Sequence, residues 1–459
     1  MNSEAKHVAP GAVSSVRERL SAMLERGVDA LGGWNSRRIL RELQHVLDPA
    51  VSEVEGGRRA AAVADWYAHA SAEQRRDCWL LMSEHFTPDV SAIQAARDAY
   101  EAARGSEDES RAEVRLRRAF TAPRTRLLQR FSAYPGGVRF LVELRAELLA
   151  HLKGDKRLLA LDDELQELFS TWFNVGFLEL QRISWDSPAS LIEKLIRYES
   201  VHDVRSWLDA KNRLDEDRRC YGFFHPRLPG EPLIFVEVAL LRELAASITP
   251  LLDEEAAPAD LSKASTAIFY SISNTQSGLR GVSFGDSLIK RVVETLRGEF
   301  PQLKVFATLS PIPGLRGWVA RQAEALLQAT PARERQALAR ALGPSAVDAT
   351  ALLAALEGVA SLDDKSALRR WLLGATARYL GRELADDGRP LDGVARFHLG
   401  NGARVERLNW LADPSPKGLK QSWGLMVNYL YDVKRLDRHR ALLAQGKVPV
   451  SSAIDSLLA

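Results

Sequence analysis

Cysteine is nearly absent: Cys78 and Cys220 are the only two in 459 residues, and they lie far apart without C-x-x-C spacing. That excludes a disulfide framework and a thiolate zinc site, and it fits a reducing cytoplasm. No run approaches the roughly 18 apolar residues of a membrane span. Met1 to Gly11 lacks the apolar core of a signal peptide, and the ending Ser456-Leu457-Leu458-Ala459 is not the peroxisomal S-K-L address. An excess of one charge is also missing, because 62 Lys plus Arg stand against 60 Asp plus Glu. A nucleic-acid partner is therefore not expected, nor a membrane, and any polyanion must be met by a local site. Internal repeats and long low-complexity tracts are absent too.

What is present is an ordinary globular composition, 46% hydrophobic and 27% charged, in a chain long enough for two domains. The first third reads as a helical bundle. A capping-box pattern at Ser15 to Glu18 precedes apolar Val16, Leu20, Met23 and Leu24 and ends at Gly27. Leu141, Leu144, Leu148 and Leu152 repeat that spacing before Gly154, and the arginine-rich stretch Glu107 to Arg130 reads as a solvated helix face. After about Ser184 the texture becomes mixed α and β. A helix over 190–198 leads to strands at Leu233–Leu240, Ala267–Ile272 and Lys304–Leu309, with a helix at Asp286–Leu296. The segment from Trp318 to about Leu384 reads as a helical insertion. Val394–Leu399, Gly400-Asn401-Gly402 and Ala403–Trp410 read as a β-hairpin, and a last strand runs from Gly424 to Tyr431. The domain boundaries expected are 1–171 for the helical part and 172–459 for the rest.

The most informative loop is Gln276 to Asp286, between a strand and a helix. Its glycines Gly278, Gly281 and Gly285 permit close approach of backbone N–H groups to a phosphate, the following helix offers its N-terminus, and Arg280 adds a cation. The spacing matches neither the dinucleotide fingerprint nor the Walker A loop. Gly281-Val282-Ser283-Phe284-Gly285 does match the G-x-S-x-G nucleophile elbow, with Asp392 and His398 in triad order. Several residues separate the preceding strand from Ser283, whereas an elbow follows its strand at once, so a serine hydrolase is disfavoured.

Blocks at Ala267–Ser273, through the glycine loop, at Thr308-Leu309-Ser310-Pro311-Ile312-Pro313-Gly314, at Phe397–Ala403, at Asn409–Asp413 and at Gly424–Tyr429 closely resemble malonyl-CoA decarboxylases in order and spacing. The resemblance covers most of the chain from about Val175. It implies an N-terminal helical domain followed by a catalytic domain with an N-acetyltransferase-like fold, and a homo-oligomer, most simply a tetramer. It implies that Ser310 is a proton acceptor and His398 a proton donor, with no metal or other cofactor. The acyl-CoA segment of the family falls on Arg280, Gly281, Val282, Ser283, Phe284, Gly285 and Asp286, the loop already read as a phosphate cradle. One departure is that relatives can carry an acidic residue where this chain has Ser283.

The reaction so implied, malonyl-CoA to acetyl-CoA and carbon dioxide, needs an enolate stabiliser and a proton source, and histidine is the side chain poised for proton transfer near neutrality. Ser310 follows a strand that Pro311 and Pro313 terminate, a place where α/β sheets bind ligands. Tyr431 is a further candidate for the substrate pocket, as are Tyr429 and Asn428. His225 is the rival histidine, and Lys290 and Arg291 lie one helical turn past the cradle. Two other readings compete: an acyl-CoA-dependent N-acyltransferase, which would need an amine acceptor, and a non-catalytic CoA-binding scaffold.

Overall fold

Runs of β-branched and aromatic residues in the second half become strands buried on both faces. In the computed structural model, which describes residues 36–282, 288–342 and 348–458, the chain divides into two compact units, Met1–Leu168 and Phe169–Ala459. The capping box read at Ser15 lies outside the described residues.

The first unit is helical throughout its described part. Ser71 and Gln74 form a reciprocal capping box at the start of helix Ala72–His85, which satisfies N–H groups that a helix start leaves unpaired. Leu141, Leu144 and Leu148 are buried on helix Gly137–Leu149. The charged helix Glu109–Phe120 buries only Ala112, as a solvated face should.

The second unit is built on one mixed sheet of eight strands: β1 (Glu179–Ile183), β2 (Arg218–Phe224), β3 (Pro232–Leu241), β4 (Thr266–Asn274), β5 (Val305–Thr308), β6 (Ser310–Pro311), β7 (Arg404–Asn409) and β8 (Met426–Leu430). Their order is β1-β2-β3-β4-β5-β8-β6, with β7 also paired to β8. β2 is wholly buried and β3 nearly so; β3 accordingly reads as an almost continuous apolar run, whereas β2 opens on Arg218 and Arg219, which pair with Asp217 and Glu299. Among the paired strands of the described residues, β4 and β5 run parallel, joined through helix Leu288–Glu299. That register covers Thr266–Phe269 alone; from Tyr270 to Asn274, β4 keeps only β3 beside it. The Leu309 N–H bonds the Phe269 carbonyl at 3.0 Å. Past that bond the chain leaves β4 and pairs Ser310 with Val427 on β8. The sheet is therefore split at the carboxyl ends of its parallel pair.

One expectation is overturned by the backbone. Val394–Leu399 is no hairpin strand but part of helix Gly393–Gly400. Its buried residues are Ala395, His398 and Leu399, the i, i+3, i+4 spacing of a helix face. Asp392 caps it, accepting from the Val394 and Ala395 N–H groups at 2.9 and 3.1 Å. Gly400-Asn401-Gly402 is the helix terminus: Gly402 N–H bonds Leu399 O at 3.0 Å, and Ala403 N–H bonds His398 O at 3.1 Å. Those two bonds define a Schellman cap, with Gly402 at φ 84° supplying the left-handed residue. An Asn-Gly pair serves a tight turn and a helix stop equally well, and here the preceding Asp392 decides between them.

Candidate functional site

Where the sheet splits there is a cavity of about 640 Å³, within the usual range for a small-molecule pocket. Asn274 and Thr275 at the end of β4 line one side, Arg280, Gly281 and Val282 of the glycine loop another, and Arg396, Phe397 and Asn401 of the capped helix a third. Within the loop, the N–H groups of Leu279, Arg280 and Val282 bond the carbonyls of Gln276, Ser277 and Leu279 at 3.0 to 3.1 Å. Those three donors shape the loop and are not offered to a ligand. Gly281 has φ 81°, which lets the chain reverse there. Ser283, Phe284, Gly285 and Asp286 lie outside the described residues.

Ser310, His398 and Tyr431 form one buried hydrogen-bonded network. Ser310 Oγ donates to Thr308 Oγ1 at 2.9 Å and lies 3.1 Å from His398 Nε2. His398 Nδ1 is 2.7 Å from the Tyr431 hydroxyl. The imidazole also stacks on Tyr429, with centroids 4.8 Å apart and planes at 28°. Three elements hold this in place. β5 presents Thr308 and β6 presents Ser310, while β8, which pairs with both, carries Tyr429 and leads to Tyr431. Asn428 is a clamp: its Nδ2 donates to the Thr308 carbonyl at 2.7 Å and its Oδ1 accepts from Asn409 at 2.9 Å. Asp392 ties the histidine helix to the segment after Ser310, because its Oδ2 accepts the Gly314 N–H at 3.1 Å while Oδ1 caps the helix.

Asp392 thus completes no Ser-His-Asp triad; the group facing His398 Nδ1 is Tyr431. His225, the rival histidine, accepts from the Arg227 N–H at 3.1 Å and packs on Phe173. Arg291 donates to the Leu178 carbonyl at 2.8 Å and lies over the Phe223 ring, whereas Lys290 lines a second cavity of about 200 Å³. Tyr431 lines that second cavity and Asn401 lines both, so the end of the histidine helix stands between them. Thr308 escaped the sequence reading. Its signal was present, since residues two apart in a strand share a face and Thr308 precedes Ser310 by two.

Burial alone drives the His398 pKa down from 6.5 to about 3, so the ring is neutral at pH 7. His202, also buried chiefly at the expense of its charged form, is pushed down to about 4. Below pH 6.5 the unfolded chain takes up protons at these positions and the native chain does not. Native stability is therefore lost as pH falls from 6.5 towards 4, with each histidine steepening the slope by about 1.4 kcal/mol per pH unit. Unfolding measured between pH 4.5 and 6.5 should show His202→Gln with a shallower pH slope than the parent, by one proton. An unchanged slope would mean that the native ring titrates normally.

The chain matches family models for the malonyl-CoA decarboxylase C-terminal domain over residues 176–459 and the malonyl-CoA decarboxylase N-terminal domain over 86–173. It is 36% identical over 426 residues to a mitochondrial malonyl-CoA decarboxylase of Anser anser anser, covering 88% of this chain and 84% of that protein. A second mitochondrial malonyl-CoA decarboxylase, from Mus musculus, is 39% identical over 363 residues, covering 76% and 73%. The crystal structure of malonyl-CoA decarboxylase from Rhodopseudomonas palustris is similar at 41% identity and a TM-score of 0.80, covering 92% of this chain and 100% of that one. Among the described residues no helix is long and apolar enough to cross a membrane.

Proposed function

The chain belongs to the malonyl-CoA decarboxylase family, whose members are carboxy-lyases, and from that premise we propose that it converts malonyl-CoA to acetyl-CoA and carbon dioxide through a thioester enolate protonated by His398. The observation that carries this reading is the buried Ser310–His398–Tyr431 network behind a cavity lined by the glycine loop and the histidine helix.

In the reaction, the bond between the α-carbon and the carboxylate breaks, and its electron pair moves into the thioester carbonyl as carbon dioxide leaves. The β-dicarbonyl acid carries its own electron sink. Hydrogen-bond donors aimed at the developing oxyanion lower the barrier, by about 3 kcal/mol for a well-placed one. The enolate then collapses and takes a proton on the α-carbon. His398 is suited to deliver it: a neutral ring still carries one N–H, and a neutral imidazole held so by its surroundings is an established electrophile. Tyr431, behind Nδ1, is suited to resupply the proton. Arg280 and Arg396 give the cavity the positive charge that a CoA thioester calls for, and Gly281 and Val282 shape its wall. On the reading of the resemblance, Ser283, Phe284, Gly285 and Asp286 continue that contact.

We also read residues 172–459 as an N-acetyltransferase-like catalytic domain preceded by a helical domain over 1–171. The parallel pair β4 and β5, splitting around the cavity, supports the first part. A homotetramer is the assembly that the resemblance implies, and sedimentation velocity measures it directly.

Purified protein treated with a chelator and given malonyl-CoA without an acyl acceptor should release acetyl-CoA and carbon dioxide in equal amounts. If malonyl-CoA binds and persists, decarboxylation is wrong and amine acceptors become the next substrates to test.

A further inference from the structure

Thr308 is completely buried, and its side chain is the last member of the network that includes Ser310 and His398. Its carbonyl is gripped by Asn428 at 2.7 Å and its Oγ1 accepts the Tyr429 N–H at 3.1 Å, so neither backbone nor hydroxyl is free to drift. Ser310 Oγ donates its hydrogen to that same Oγ1 at 2.9 Å.

Counting hydrogens along the network then fixes its direction. A hydroxyl owns one hydrogen, and that of Ser310 is committed to Thr308. The 3.1 Å contact between Ser310 Oγ and His398 Nε2 must therefore take its hydrogen from the ring. A neutral imidazole with its hydrogen on Nε2 has a bare Nδ1, and the 2.7 Å contact there takes its hydrogen from the Tyr431 hydroxyl. Donation thus runs Tyr431 to His398 to Ser310 to Thr308, and every contact has one donor.

We propose that Thr308 is a positioning residue that sets this direction: by holding the hydrogen of Ser310 it keeps His398 in the Nε2–H tautomer, with that proton on the serine side of the ring. This rests on the decarboxylase reading only for its consequence, since the tautomer is a property of the resting protein. The opposite direction, with Ser310 donating to His398, is the polarity of an activated serine nucleophile. Thr308 therefore separates a proton-donating histidine from a hydrolase-like pair.

The test is nitrogen-15 NMR of histidine-labelled protein without substrate, with the His398 signals identified by their loss in His398→Gln. The parent should show a bare Nδ1 and a protonated Nε2. Thr308→Val, which removes the acceptor at nearly constant shape, should shift His398 towards the Nδ1–H tautomer and lower kcat about tenfold, the loss of one hydrogen bond, with KM nearly unchanged. Thr308→Ser should restore both. A parent with hydrogen on Nδ1 overturns the proposal even if Thr308→Val does not fold. So does a folded Thr308→Val that keeps the parent tautomer, or a Thr308→Ser that behaves like valine. Failure of the parent to release carbon dioxide from malonyl-CoA would sink the decarboxylase reading and leave the tautomer result standing on its own.

Discussion

His398→Ala should lower the rate of acetyl-CoA formation from malonyl-CoA by about 10² to 10⁴, the range that a positioned general acid contributes. The loss should fall on kcat, because Arg396, Phe397 and Asn401, not the imidazole, line the cavity from that helix. Alanine also removes the ring from its stack on Tyr429 and leaves the Tyr431 hydroxyl without its 2.7 Å partner. His398→Gln, which retains bulk and a hydrogen-bonding end, separates lost chemistry from lost packing. Both variants should bind CoA as the parent does, measured by calorimetry. A folded His398→Ala retaining more than a tenth of the parent rate would remove His398 from the chemistry.

A comparably large effect, on stability instead of rate, is expected from Arg213→Met. Arg213 is buried beneath the sheet, with Nε donating to Asp209 at 2.7 Å and Nη1 to Glu237 at 3.4 Å. Glu237 is completely inaccessible, and burial together with the nearby Glu199 charge pushes its carboxyl up to about 8. Arg213 opposes that rise. Methionine fills much of the volume but leaves the buried Asp209 carboxylate without its cation, a change that typically costs about 3 to 5 kcal/mol. Thermal melting should shift down by about 5 to 8 °C on that cost, for a unit the size of Phe169–Ala459. Adding Asp209→Asn should recover part of the loss, because the uncompensated Asp209 charge and not the missing guanidinium is the main expense. A melting temperature within a degree or two of the parent would show that water reaches these groups.

Among the buried strands β3 and β4 were legible, whereas β2 was not, because it opens on two arginines and carries Gly222. β3 and β4 announce themselves because both faces are covered and few polar residues interrupt them. β1 was missed for the opposite reason: it is an edge strand with most of its side chains exposed, and its sequence Glu-Leu-Gln-Arg-Ile carries no apolar run. The histidine helix was misread because Phe397, His398 and Leu399 fit a strand as well as a helix, and only eight residues were available to show a period. Within the site, the meeting of Ser310 with His398 was not readable from periodicity at all. The two stand 88 residues apart and come together through β8, so their pairing entered by resemblance alone. Tyr431, a pocket candidate from the sequence, joins the same contact set, whereas Thr308 was missed because a threonine inside a buried strand looks like ordinary core.

The carboxylate of Asp392 has a consequence for how this chain can change over time. Its grip on Gly314, 78 residues earlier, closes a loop whose contents are the helices between Leu315 and Gly381. Lengthening a loop that is already closed is cheap, about 0.6 kcal/mol for each doubling. Helices Leu315–Ala329 and Ala367–Gly381 pack on the rest of the unit, and Tyr379 donates to Asp392 itself, so the freedom falls to helix Ala332–Leu342, which buries only Leu338 and can be recoded while the serine and the histidine keep their separation. The clasp makes that outer helix a tolerant cassette, where new surface can be acquired without renegotiating the chemistry at its base.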